Sequence, residues 1–511
     1  MKAQEQSFTA NAVLVVLTLF PGLINTSAVN FAAGTIARDL SESPFRVSAL
    51  VLLNDAALAF GCLLAAELTR RIANRPLYLA MLVVSVAASL GSCLAPNFAF
   101  LGAAHFVHGL AGGMLFVTAL PPFFVKFAPT RIRSLVAVLI PSLFGATTLG
   151  PIAAAALQRP NEWRLLFAVE IVLAIVALLL ARATLPRTPL SATAAPVDWI
   201  ALVLAGLGSI GIFVAAGNLA RSGWLDPAAF IPAVIGIGSF LVMFGWEAIQ
   251  KDPLVPVRHL LGSIAIVGTV STVAGSAVYS ATQTTMTLEL ERLWGFSLSA
   301  TGLAFWPAAI GALFSGWLYA QLVTTRWVTI VGPAGIAVSL AAVSLGLLVR
   351  PLPAGAIEAT LFVAAVGAGL SVTPGLFMVG LSFERALVTR AIALLNMLRL
   401  TGGFISVPGV EHSIGSRAAE HVHRSLPAIP PVETEHAART YLLTGADQSG
   451  IPHAVLADAV RAGIAGGLVV AVGICIVALA IVAVLLATRG IRLEAPRVQL
   501  IAEGRPALGT S

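Results

Sequence analysis

The sequence predicts an all-α polytopic membrane protein, and three observations carry that assignment. Fourteen apolar stretches, each near the length of a bilayer crossing, fill most of the 511 residues. A transmembrane helix needs about 20 predominantly apolar residues. The composition is 58% hydrophobic and 10% charged, with a mean hydropathy of +0.94. Charge is confined largely to the joints between the stretches, and in lipid each span must satisfy its own backbone polar groups, as a helix does. A water-soluble domain of this size is excluded. The net charge of +7 sits mostly at helix ends, which points to orientation signals and away from nucleic acid. Cys62, Cys93 and Cys475 each lie inside an apolar run and read as small buried hydrophobes, not a disulfide framework.

The spans follow in order. The first, 11–35, comes after a short, nearly uncharged start with Lys2, and thirteen more follow, so a cleaved signal peptide is not expected. Next come 47–68, 77–95 and 98–121, the last two joined only by the Ala95-Pro96-Asn97 turn of a tight helical hairpin. The fourth carries Gly109, Gly112 and Gly113; the fifth, 135–157, carries Gly145, Gly150 and Pro151. Small residues let backbones approach closely, and proline opens a local break that a neighbour must satisfy. Taken singly, each glycine reads as ordinary helix packing. The sixth span is 165–183, and 199–219 and 228–249 follow. The last six are 262–285, 300–322, 327–349, 355–378, 386–410 (with Gly402 and Gly403) and 462–488.

One sizeable polar segment, 412–460, interrupts this series and is expected to be a solvated loop. It holds Pro427, Pro430, Pro431 and five of the eight histidines: His412, His421, His423, His436 and His453. His421 and His423 are two apart and on a helix would not face one another, so a metal site is not expected there. Val455 to Ile464 reads as an amphipathic lead-in to the last span. With the N-terminus inside, cytoplasmic segments hold 18 Lys and Arg against 10 in the opposite loops, with Arg461 at a boundary. Both termini are therefore expected in the cytoplasm.

Several segments resemble a known family in order along the chain. INTSAVNFAAG from Ile24 is similar to the first-span motif of the fourteen-span drug:proton antiporters of the major facilitator superfamily. ELTRRIANRPLYL (Glu67 to Leu79) resembles the superfamily's loop signature after span two, and HFVHGLAGG (His105 to Gly113) its fourth-span arginine/glycine motif. TTLGPIAAAAL (Thr147 to Leu157) echoes the fifth-span antiporter motif. Trp163 to Phe167 fits the start of the sixth span, and NMLRLTGG (Asn396 to Gly403) fits the thirteenth. The resemblance implies two six-helix bundles around a central cavity plus two inserted helices. The bundles would be 1–184 and 261–488, with the inserted pair in a linker, 185–260, and a cytoplasmic tail, 489–511. It also implies alternating access by rocking of the bundles, with a site near the midplane.

The departures from that pattern concern charge. Asn25 stands at the first-span acidic position, Arg70 at the acidic position of the loop signature, and His105 at the fourth-span arginine. Ala66 and Ala73 replace loop glycines, and Ala154 and Ala155 replace a glycine pair after Gly150-Pro151. Ionisable groups nevertheless remain within the spans, where they are costly and mark functional candidates. Asp55, with His105 as its partner, is expected to carry the coupling proton, because a carboxylate moved between wet and dry surroundings changes its proton affinity. Asn25, Asn30, His108 and Arg399 are candidate cavity residues, with a structural role favoured for Arg399. Glu170 is noted near the outer end of the sixth span. Arg70, Arg71, Arg75, Gly150, Pro151 and Glu384 are expected in gating or structure, with Glu384 supplying the counter-charge that Arg70 needs.

No phosphate loop, nucleophile triad or metal constellation is visible, so enzymatic activity, ATP drive, metal and cofactors find no support. The expected function is a monomeric secondary exporter of small amphipathic or apolar compounds, of multidrug type, in a bacterial inner membrane. Its partners are the substrate, protons and the lipid bilayer. Two alternatives remain: an uncoupled facilitator or importer, and a transport-incompetent membrane sensor or assembly partner.

Overall fold

The computed structural model describes residues 2–157, 161–187, 197–325, 327–349, 352–383, 387–445 and 450–488. Helices begin where local chemistry starts them. After α1 (Lys2–Phe31) and the short α2 (Ala33–Asp39), Ser43 accepts a hydrogen bond from the Arg46 amide at 3.3 Å and opens α3 (Pro44–Leu68). α4 (Asn74–Cys93) leads into the 95–97 turn, where Asn97 accepts from the Phe100 amide at 2.9 Å and starts α5 (Phe98–Ile140). α5 carries the fourth span and, past a non-helical Arg131, the first part of the fifth. A π-helical turn, Pro141–Gly145, and α6 (Ala146–Ala155) complete the fifth. α7 (Arg164–Thr184) is the sixth.

Asp198 and Asp226 cap the inserted pair, α8 (Trp199–Ser222) and α9 (Pro227–Ile249). α10 (Val257–Leu260) precedes α11 (Ser263–Leu288), which ends in a π-helical turn at Glu289–Leu293. α12 (Leu298–Leu303) and α13 (Trp306–Leu322) share the tenth span. α14 (Val331–Leu348), α15 (Ala354–Ser382), α16 (Val388–Ser425), α17 (Pro431–Thr444) and α18 (His453–Thr488) follow. Among the described residues, 14 helical segments are long and apolar enough to cross a membrane.

The expected loop at 412–460 is corrected: most of it is helix. α16 has 38 residues, or about 57 Å at helical rise, against a hydrocarbon core of about 30 Å. It continues because Val410, Ile414, Ala418 and Val422 recur every fourth residue and are all buried in one core with Leu456, Val460 and Ile464 of α18. α17 packs on both helices. The last helix accordingly starts at His453, nine residues before the expected 462.

α1 and α3 to α7 pack with one another, as do α11, α13 to α16 and α18, while α8 and α9 pair and α8 leans on α3 and α16. The two sets meet along α3–α16, α5–α13 and α6–α12. The candidate site lies inside the first set and reaches this seam.

Candidate functional site

The site is built on a close approach of α3 and α5. A Cβ on Gly109 would lie 2.2 Å from the Asn54 carbonyl oxygen, and one on Gly113 would lie 2.1 Å from that of Leu58. Only hydrogen at these positions lets the two backbones come so near. The approach holds Asn54 and Asp55 of α3 beside His105 and His108 of α5. On α1, Gly22 passes beside the polar groups: a Cβ there would stand in ordinary contact, 3.5 Å from Glu170 Oε1 and 3.8 Å from His108 Cε1.

A continuous polar network fills this space. Asn25 Nδ2 donates to Glu170 Oε2 at 2.7 Å, and His108 Nε2 meets Glu170 Oε1 at 2.5 Å. His108 Nδ1 lies 3.3 Å from Asn54 Oδ1; Asn54 Nδ2 donates to Thr26 Oγ1 at 3.3 Å and to Asp55 Oδ1 at 3.4 Å. All six side chains are buried. Asp55, whose Oδ2 has no hydrogen-bond partner, feels the charge of Arg399 from α16 in the other set. Arg399 is half-buried and donates through Nε to Asn396 Oδ1 at 2.9 Å, while Asn396 Nδ2 reaches Cys62 Sγ of α3 at 3.1 Å.

These positions revise the expected partnership. His105 is not the partner of Asp55: neither of its ring nitrogens has a hydrogen-bond partner, and it stacks on His108 at 5.9 Å and meets Phe167 edge-on at 5.7 Å. The reason is helical geometry. Residues 105 and 108 share one face of α5 a turn apart, and it is His108 that sits level with Glu170 and Asn54. Asn25 and His108 enter the network, whereas Asn30 is exposed and outside it. Sequence reasoning missed Asn54, Thr26 and the pairing of Glu170. A signal existed for Glu170, an ionisable residue in an apolar span, but none for its partner. Cys62 is buried as expected, yet it also accepts a hydrogen bond.

A second polar cluster lies at the end of the helices that carries the N-terminus of α1. Arg70 meets Glu67 at 3.0 Å and also Asp252, which follows α9; Arg71 meets Glu67 at 2.5 Å. Arg390 in the first turn of α16 meets Asp252 at 2.6 Å and donates to the Pro253 carbonyl at 2.8 Å. Asp252 therefore ties both helix sets to the linker. Partial burial pushes its carboxyl up, but hydrogen bonding and charge from Arg390, together with Arg70, outweigh this and hold it below the usual range. Glu384 lies outside the described residues, and the described counter-charges of Arg70 are Glu67 and Asp252. Arg75 donates to the Arg182 carbonyl at 2.8 Å, fastening the end of α7.

Both ends of the seam are bridged. Arg133 of α5 donates to Thr324 Oγ1 at 2.8 Å, at the same end of the helices as the Arg70 cluster. At the opposite end α12 sits on α6: Ser299 Oγ donates to the Ala155 carbonyl at 2.6 Å, and a Cβ on Gly302 would stand 2.4 Å from the Pro151 carbonyl. Gly150 abuts α1, where an added Cβ would come within 2.3 Å of Ser27 Cβ. Between these ends lies a pocket of about 10 Å³ lined by Leu120, Phe124, Leu143, Thr373, Phe377 and Ile392, among others. That is room for about one water, far below the 300–1,000 Å³ of a small-molecule site.

The chain matches the family model of the Major Facilitator Superfamily over residues 15–407. It is 24% identical over 304 residues to the fatty acid resistance protein FarB of Neisseria gonorrhoeae, covering 58% of this chain and 59% of that protein. It is 23% identical over 335 residues to the major facilitator superfamily multidrug transporter mfsC of Aspergillus fumigatus, covering 65% and 64%. The chain thus spans less than two thirds of the length of these curated relatives. The fold resembles that of the proton:xylose symporter XylE with a TM-score of 0.58 at 12% identity, over 96% of this chain and 97% of that one.

Proposed function

Because this chain belongs to the Major Facilitator Superfamily, we propose that it is a proton-driven secondary exporter of small amphipathic or apolar compounds. Residues 1–184 and 261–488 act as the two rocking bundles, with 185–260 carrying the inserted pair, and both termini face the cytoplasm of a bacterial cell. The protein works as a monomer.

The observation that carries this reading is Asp55. Its carboxylate is fully buried on α3, the helix that meets α16 at the seam of the two helix sets, and it feels the charge of Arg399 on α16. A charge held in hydrocarbon is costly, and one placed between two moving parts changes its surroundings whenever they move. Opening the seam wets Asp55 and separates it from Arg399; closing it reverses both changes. Proton exchange is thereby tied to access. The apolar lining around Phe124 and Phe377 supports an apolar or amphipathic substrate, and the resistance roles named for relatives support export.

The test uses everted membrane vesicles, a panel of dyes and drugs, and an imposed pH gradient. Gradient-driven accumulation in the wild type and its loss in Asp55→Asn is the expected result. Accumulation that survives in Asp55→Asn defeats coupling through this residue. Gradient-independent flux in the wild type favours a facilitator, the reading suggested by Asn25 at the family's acidic position, and no flux of any compound leaves a sensor.

A further inference from the structure

The contact between Glu170 and His108 is matched atom by atom in a way that packing alone does not require. Asn54 directs its Nδ2 at Thr26 and Asp55, so its Oδ1 is the acceptor that His108 Nδ1 meets. That ring nitrogen therefore carries a hydrogen. His108 Nε2 faces Glu170 Oε1 at 2.5 Å, and the other carboxylate oxygen already accepts from Asn25. One proton lies across the Nε2–Oε1 contact, and whichever atom holds it, the pair is neutral overall.

We propose that Glu170 and His108 together hold a second coupling proton, at a site distinct from Asp55. The inference rests on the proton-coupled reading above. With the proton in place the pair is neutral and can be sealed among apolar helices, as both side chains are here. Without it Glu170 is an unbalanced anion, whose burial is heavily penalised. The helices can close around the pair only when it is loaded. One proton binds from water on one face and leaves to water on the other after access changes; no other bond is made or broken. Asn54, bonded to both His108 and Asp55, links the pair to the seam where Arg399 stands.

The titratable neighbours are few. α3 brings Asp55, and α5 brings His105, stacked on His108. α16 brings Arg399, which acts on Asp55. α1 has only Lys2 and Glu5, both at its start, α6 has none, and α4 carries Arg75 and Tyr78 at one end and Cys93 at the other. α7 has only Arg164 and Arg182 besides Glu170, at its two ends.

In everted vesicles, Glu170→Gln and His108→Gln are each expected to cut pH-gradient-driven accumulation of ethidium or oleate roughly tenfold or more. Downhill flux should continue at a reduced rate and lose its dependence on pH between about 5 and 8. In purified protein, nitrogen NMR of the imidazoles should show a hydrogen-bonded proton at His108 Nε2 in the wild type that is absent from folded Glu170→Gln. Gradient-driven accumulation with the wild-type pH profile in Glu170→Gln overturns the proposal, as does a wild-type His108 whose contact with Glu170 holds no proton. If even the wild type moves neither probe, the exporter reading fails, and the NMR signal still decides whether this pair holds a proton.

Discussion

Two carboxylate–cation contacts in this protein share a chemistry and differ in their surroundings. Glu170 and His108 are 5% and 6% exposed, deep among α1, α3, α5 and α7, whereas Asp252 is 55% exposed where it meets Arg70. Water screens the second and cannot reach the first. A buried pair holds each partner to the other because an isolated charge there has no other stabilisation. An exposed pair trades one set of contacts for hydration at little net gain. The buried contact is thus suited to hold a proton, and the exposed one to fasten parts that must later come apart.

The largest effect that would test this contrast is removal of one buried partner. His108→Leu leaves Glu170 unpaired and is expected to cost about 3–5 kcal/mol, read as thermal unfolding in detergent; His108→Leu with Glu170→Leu should recover most of it. A double variant no better than the single one would show that packing, not charge, sets the cost. Next is Gly109→Ala, whose new methyl meets the Asn54 carbonyl. It should destabilise by about 1–3 kcal/mol through overpacking and disturb transport through Asn54, in the same two assays.

The exposed cluster should respond more weakly. Arg70→Asp sets like charges beside Glu67 and Asp252, and adding Asp252→Arg should restore a coupling energy of roughly 0.5–1 kcal/mol in a double-mutant cycle. Strict additivity would mean the contact does not fasten the seam. Asp252→Asn alone is the smallest perturbation, about 0.2–1 kcal/mol and fading with salt. Because the folded carboxyl is held low, its contribution is present above the ordinary aspartate range and lost as pH falls through the folded value. The wild-type and Asp252→Asn unfolding temperatures should therefore converge below about pH 4. A difference that grows on acidification would reverse the assigned sign.

The exposed cluster also explains how Arg70 is tolerated where the resembling family has an acid. Asp252, brought in by the linker after α9, supplies the carboxylate beside the first turn of α16, where negative charge suits a helix N-terminus. The expected donor was Glu384, closer in sequence to α16. Nothing in the linker's own residues marked Asp252 out, since its partners are 182 and 138 residues away.

What the sequence determined by itself was everything that acts locally or through the solvent. The number of spans followed from apolar length, because lipid imposes the same demand on each segment independently of its neighbours. The motifs in order along those spans pointed to the family. Even the miss at 412–460 was legible after the fact, since Val410, Ile414, Ala418 and Val422 mark one helical face. Tertiary structure alone decided which charges meet. Asp55, His105, His108 and Glu170 were each visible as ionisable residues in apolar runs. Their partners depend on the rotation of α5 against α3 and α7, set by how closely Gly109 and Gly113 let those helices pack. A turn's difference on one face separates His108, which shares a proton with Glu170 in the proposed mechanism, from His105, which has no hydrogen-bond partner at either ring nitrogen.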